Sequence, residues 1–224
     1  MLHLPEPAVA WLQWLSELGY DEVGDTYYEL ARENERPSQH SITTFLTNTF
    51  LQWLNGEGTS KPWFAHLSFL RPHPPFVAAG EWAKAYDPAE CADSIGVPEN
   101  RHWLHDVLLQ HEATKAPQTR SEMQQVKAQY YGNISHVDEQ LGRIFDELKR
   151  RGEWENTVVV IASDHGEQLG DQGLLNKAGF FESSYHIGCI VRVPQFNAAH
   201  GNVVNEFTEN IDIFPTLCEV IGEA

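Results

Sequence analysis

The sequence predicts an α/β fold, a mostly parallel sheet with helices packed on its faces. Two short apolar runs, residues 63–70 and 157–161, read as strands buried on both faces. Each run stops at a polar loop, Arg71-Pro72-His73-Pro74-Pro75-Phe76 after the first and Ser163-Asp164-His165-Gly166 after the second. Around them, residues 41–54, 121–150 and 212–222 carry apolar side chains at helical spacing, as helices that cover a sheet do.

Taken in order, residues 8–18 place Trp11, Leu12, Leu15 and Leu18 on one helical face, and Gly19 marks the C-terminus. Residues 20–40 are polar and read as a loop. Ser41 is an N-cap candidate for the next helix, whose stripe is Ile42, Phe45, Leu46, Phe50, Trp53 and Leu54. The run 63–70 follows, and its prolines stop the strand by fixing the backbone. Within it, His66 reads as a hydrogen-bonded core histidine. Residues 77–118 are irregular, with a short packed helix around Trp103 and Leu108. The longest helix steps through Val126, Tyr130, Ile134, Val137, Leu141, Ile144 and Leu148, and closes on Arg150-Arg151-Gly152. His136 and Asp138 lie in it as structural residues. A further strand is expected at 189–193, a short strand or extended stretch at 202–207, and a last helix from Asp212.

Composition narrows the function classes. The chain has 224 residues, a formal net charge of −17 and an apolar fraction of 42%, enough for a real core. Such an acidic surface argues against nucleic acid as a partner. An anionic ester would need a local positive patch, and Arg71 is a candidate substrate-binding side chain. No secretory apolar core follows Met1 and no run is long enough to span a bilayer, so a cytoplasmic location and no membrane partner are expected. Cys91, Cys189 and Cys218 are odd in number and far apart, matching neither a zinc spacing nor a disulfide framework.

The chemistry concentrates where the strands end. Ligands in open α/β sheets bind outside the carboxyl ends of the strands, so Asp164 and His165 are a candidate metal pair. By itself an Asp-His dipeptide is more often a capping Asp beside a surface His. His73 sits in a stiff loop at the end of the other strand, and two such loops at one sheet edge can converge on one ligand. A loop histidine capped by its neighbours is the plainer reading. His102, His105 and His111 resemble a metal cluster at first sight, but the apolar residues among them favour a packed helix.

Longer strings carry a family resemblance. The stretch NTVVVIASDHGEQLGDQGLLNKAGFFESSYHIGCIVRVP, residues 156–194, resembles the C-terminal signature of the sulfatase branch of the alkaline phosphatase superfamily. Within that branch it is most similar to the phosphonate monoester hydrolase/phosphodiesterase group. HLSFLRPHPPF and YYGNISHVDEQLGRIFDELKRRG resemble the corresponding family segments. The resemblance implies an alkaline-phosphatase-like three-layer sandwich. Residues 1–224 would be a partial catalytic domain, with 77–118 a variable, insertion-like region. It also implies a reaction, hydrolysis of phosphate diesters, phosphonate monoesters or sulfate esters through a formylglycine nucleophile. One divalent metal would lower the nucleophile's pKa and bind an ester oxygen. Asp164 and His165 match metal ligands, Lys177 the lysine that neutralises ester oxygens, and His73 the group that protonates the leaving oxygen. An imidazole at 165 tilts the metal from calcium toward manganese, zinc or iron.

The departures are specific. None of the three cysteines lies in the Cys-x-Pro-Ser-Arg context that yields formylglycine, and the family's N-terminal strand with its leading acidic ligands is absent. Gln172 stands where a His is common. Two ligands bind metal weakly or not at all, since catalytic sites use at least three. The expectation is therefore a hydrolase fragment that is inactive alone. The alternatives are a sulfatase fragment and a non-catalytic binding or assembly module that keeps the fold. Strands missing from the sheet would leave an edge that homo-oligomerisation shields.

Overall fold

The computed structural model describes residues 7–56 and 61–222. The chain forms two compact units, Met1–Ser94 with Pro117–Gly152, and Ile95–Ala116 with Glu153–Ala224. No helix among the described residues is long and apolar enough to cross a membrane.

The first unit is built on three long helices, α1 (Pro7–Glu17), α3 (Ile42–Gly56) and α5 (Arg120–Arg150), with a short α2 (Thr26–Leu30) between the first two. Trp11 and Leu15 of α1 bury against Leu30 and Ile42, and Phe45, Leu46 and Leu70 pack around that centre. Gly19 ends α1 in the left-handed conformation (φ +89°) foreseen for it. At α3 the Ser41 hydroxyl accepts the N–H of Thr44 (3.1 Å), the expected N-cap. Thr119 and Glu122 form a capping box on α5, and Lys149 and Arg150 place positive charge at its end. α5 packs on α3 and on the loop at 78–82, where Gly132 is obligatory: a Cβ there would lie 2.4 Å from the Trp82 carbonyl oxygen.

Residues 20–40 are more ordered than a loop. α2 and two single-turn helices (Glu33–Glu35 and Ser38–His40) form there, held by buried charge rather than by an apolar stripe. Glu29 pairs with Arg36, and Glu33 with Arg71. His136 of α5, read as structural, is 2% exposed; it stacks on Trp82 (6.0 Å) and meets the Thr44 hydroxyl (3.2 Å).

Two strand expectations need correction. Residues 63–70 run extended but join no ladder among the described residues. Their side chains alternate between half-buried and exposed, so the run is covered on one face only, and His66 is exposed rather than in a core. Burial on both faces needs a packed layer on each, and among the described residues no strand pairs with this run to carry it into a sheet. Residues 202–207 likewise form no strand, and Val203 and Phe207 are fully open to solvent.

The second unit holds the sheet. β1 (Val159–Ala162) pairs antiparallel with β2 (Cys189–Arg192), Val160 opposite Val191. This pair is half-covered, with Ile190 and Val191 exposed, where the apolar run 157–161 predicted burial on both faces. α4 (Trp103–Gln110), α6 (Glu182–Tyr185) and α7 (Ile213–Ile221) complete the unit. Arg192 ties the two strands to the turn before β1, donating to the Trp154 carbonyl (2.7 Å) with its guanidinium over the Trp154 ring (4.1 Å). Among the described residues no cysteine is in a disulfide.

Candidate active site

β1 delivers the chain to Ser163-Asp164-His165, and short hydrogen bonds then fix the histidine. The Ser163 hydroxyl donates to the His165 carbonyl (2.5 Å), and the Asp164 carboxylate accepts the His165 backbone N–H (3.0 Å). On the ring, Nδ1 lies 2.7 Å from the Gly166 carbonyl oxygen, which can only accept. Nδ1 therefore carries the proton, and Nε2 presents its lone pair. A second contact agrees with this: the Lys177 ammonium, a pure donor, sits 3.0 Å from Nε2. The Asp164 carboxylate lies 3.6 Å from the same nitrogen. One carboxylate, one imidazole lone pair and one ammonium thus meet at the end of one strand.

The neighbouring residues hold this arrangement in place. Gly166 passes so close to α6 that a Cβ would lie 2.1 Å from the Ser183 carbonyl oxygen, and its N–H donates to the Ser184 carbonyl (2.8 Å). Glu167 and Gln168 clamp the loop that carries Lys177. The Glu167 carboxylate accepts the N–H of Asn176 (2.5 Å), and the Gln168 amide donates to the carbonyl of Ala178 (3.2 Å) and the hydroxyl of Ser184 (2.7 Å). Burial pushes the Glu167 carboxyl up, opposed by the N–H groups of Leu169 and Asn176. Sequence reasoning missed both residues. The only signal was their place directly after Asp-His-Gly.

Residue 172 works through its backbone. Gln172, with φ of 58°, accepts the His105 ring nitrogen on its carbonyl (2.7 Å) and donates its N–H to Ile95 (2.8 Å). The three histidines near 105 are separate structural parts, as the packed-helix reading held. His102 caps α4, His105 is buried, and the His111 ring accepts the N–H of Ala113. α4 and residues 179–181 wall an apolar cavity of about 200 Å³.

In the first unit, the His73 ring also has a fixed nitrogen. Its Nδ1 lies 2.8 Å from the Pro74 carbonyl oxygen, which can only accept, so Nδ1 bears a proton. Tyr27 stands beside the ring at 6.4 Å. Arg71, the candidate substrate-binding side chain, lies inside the chain. It is 3% exposed, and all five of its N–H bonds point inward. Nε and Nη2 donate to Glu33 (2.8 and 2.5 Å), Nη2 also to the Leu30 carbonyl (2.8 Å), and Nη1 to the carbonyls of His73 (3.0 Å) and Pro75 (2.5 Å). Each of its N–H groups is thus taken up inside the first unit.

The comparisons with known proteins decide the family. The sulfatase family model matches residues 9–223. The chain belongs to the sulfatase family. Among relatives of this sulfatase-family chain, a multifunctional alkaline phosphatase superfamily protein of Trinickia caryophylli is 32% identical over 224 residues, covering 93% of this chain and 43% of that protein. A choline-sulfatase of Rhizobium meliloti is 28% identical over 225 residues, 97% of this chain and 42% of that one. The phosphonate monoester hydrolase of Agrobacterium radiobacter superposes with a TM-score of 0.81 at 32% identity, over 98% of this chain and 48% of its own. The α/β, alkaline-phosphatase-like fold class is therefore that of this chain, which spans less than half the length of these relatives.

The residues present fit a metal in part. His165 has the tautomer a ligand needs, with its other nitrogen held by a backbone carbonyl, and Asp164 stands beside it. Among the described residues, however, no group of three or more His, Cys, Asp and Glu is placed to hold an ion.

Proposed function

We propose that this chain supplies part of the active site of a metal-dependent hydrolase of phosphonate monoesters, phosphate diesters or sulfate esters. The observation that carries the reading is the single-tautomer His165, its Nε2 lone pair flanked by Asp164 and Lys177 at the end of β1. Asp164 and His165 would hold a divalent cation, and that cation would supply positive charge to an ester oxygen. Imidazole favours manganese, zinc or iron over calcium there. Lys177 would neutralise charge on the ester oxygens, turning from His165 as the ion takes the lone pair. His73, as the imidazolium, would give its Nε2 proton to the leaving oxygen and keep the Nδ1–H on the Pro74 carbonyl. Phosphorus esters are the first choice, supported by the imidazole at 165, the RPHPPF loop and the likeness to a phosphonate monoester hydrolase. The choline-sulfatase likeness supports sulfate esters as the second. None of the three cysteines lies in a formylglycine context, so the proposed reaction takes that nucleophile from outside these residues.

The test is turnover of a phosphonate monoester and of a sulfate ester by a preparation that contains these residues and is active. His73→Ala and Lys177→Ala are expected to lower kcat by roughly 10²–10⁴ with metal content unchanged. His165→Ala is expected to lower metal content itself. Full activity in the His73 and Lys177 variants would sink the assignment.

A further inference from the structure

We propose that Arg71 is a positioning residue: paired with Glu33 inside the first unit, it holds the carbonyls of His73 and Pro75 and so sets which His73 nitrogen carries the proton. The inference rests on the reading of His73 as the proton donor and adds what orients it.

The geometry is that of a planar fork used on every edge. One side of the guanidinium grips Glu33 through Nε and Nη2, and Nη1 reaches the carbonyls of residues 73 and 75. The Glu33 carboxylate is itself anchored, because its other oxygen accepts the N–H of Ile42 (2.9 Å) in the first turn of α3. A continuous line of bonds thus runs from the start of α3 through Glu33 and Arg71 to the loop that bears His73. With the carbonyls of 73 and 75 drawn to Arg71, the carbonyl of Pro74 between them is left to the His73 ring, which donates to it from Nδ1. A lysine could not copy this, since its ammonium is a point charge with three donors and no fork. Stability alone does not explain the pair, because a buried ion pair is often no better than a well-packed apolar replacement. What an apolar replacement could not do is bind two successive-but-one carbonyls and leave the third to a histidine.

A second buried pair in the same unit serves as the control. Glu29 and Arg36 are buried too, but Glu29 accepts the N–H of Gly24 and Arg36 donates to the Glu29 carboxylate and carbonyl, none of which belongs to the loop that bears His73. The experiment is a long-range proton–nitrogen spectrum of the chain labelled with ¹⁵N-histidine, read at His73. The expected result for the unaltered chain is one tautomer, protonated at Nδ1. In Arg71→Met that signature is lost and the two ring nitrogens move toward averaged shifts; Arg71→Lys restores it in part. Arg36→Lys, though destabilising, leaves His73 unmoved. Should Arg71→Met not fold, Arg71→Lys carries the test, and its His73 signature must weaken. An unchanged tautomer in the Arg71 variants, or an equal change in Arg36→Lys, overturns the proposal. Because this readout needs no turnover, it stands apart from the His73→Ala assay: a silent His73→Ala would remove the catalytic reading and leave the tautomer result as it is.

Discussion

Arg36→Ala is expected to cost about 3–5 kcal/mol, the loss that follows when one member of a buried ion pair is removed and the other charge is stranded. The stranded group is Glu29, which is 2% exposed. In the intact chain Arg36 bonds both the Glu29 carboxylate and the Glu29 carbonyl, and its guanidinium lies over the rings of Trp11 (5.7 Å) and Tyr20 (5.6 Å). Alanine removes the charge, the donors and the packing together. The measurement is amide hydrogen exchange in α1, α2 and α3, which should speed by about two to four orders of magnitude. Exchange confined to that unit is the proper readout, since two compact units need not unfold as one. Glu29→Gln with Arg36→Met, which removes both charges and keeps the volume, should recover most of the loss.

The second large effect is a pH dependence that resides in His136. Burial pushes its pKa down from 6.5 to about 4, with Glu81 opposing and Arg71 and Arg143 adding to the shift. The imidazole is neutral in the folded chain. Thr44 gives its one hydroxyl proton to the Ser38 carbonyl (2.8 Å), so His136 Nε2–H must donate to Thr44. The folded pKa lies below the unfolded one, so the unfolded state takes up the proton first as the pH falls. His136 therefore contributes its full stability above pH 6.5, loses it progressively on acidification, and has lost it all below about pH 4. The difference is about 3 kcal/mol. Stability of the first unit, measured by exchange or denaturant between pH 7 and pH 4, should fall by that amount through this group. In His136→Gln the same acid limb should be flatter, although the variant starts from lower stability.

These two sites show where the sequence could be read and where it could not. Helices α1, α3, α5 and α7 were legible because their apolar stripes are regular and their caps ordinary: Gly19, Ser41 and Thr119 all sit where the backbone needs them. α2 was not legible, because Thr26–Leu30 is short and is held by Glu29, Glu33 and Arg36, whose burial no hydropathy pattern shows. The run 63–70 looked like a buried strand because Trp63, Phe64, Leu67, Phe69 and Leu70 are apolar. Strand pairing depends on neighbouring strands, and no strand pairs with it among the described residues. At the candidate site, Asp164 and His165 were found from their place after a β-branched run, and the structure puts Lys177 on the same imidazole. The burial of Arg71 was not legible, because its chemistry suits an anion equally well inside or outside the chain. Only the five inward bonds show that its anion is Glu33.

The central claim is that the end of β1 is half of a metal centre, and manganese titrated into the ¹⁵N-labelled chain tests it most directly. Paramagnetic broadening should be strongest at the amides of residues 164–166 and 177, and should vanish there when Asp164→Asn and His165→Gln are combined. Broadening that survives in the double variant, or that spreads evenly over the acidic surface with no maximum at those residues, would contradict it.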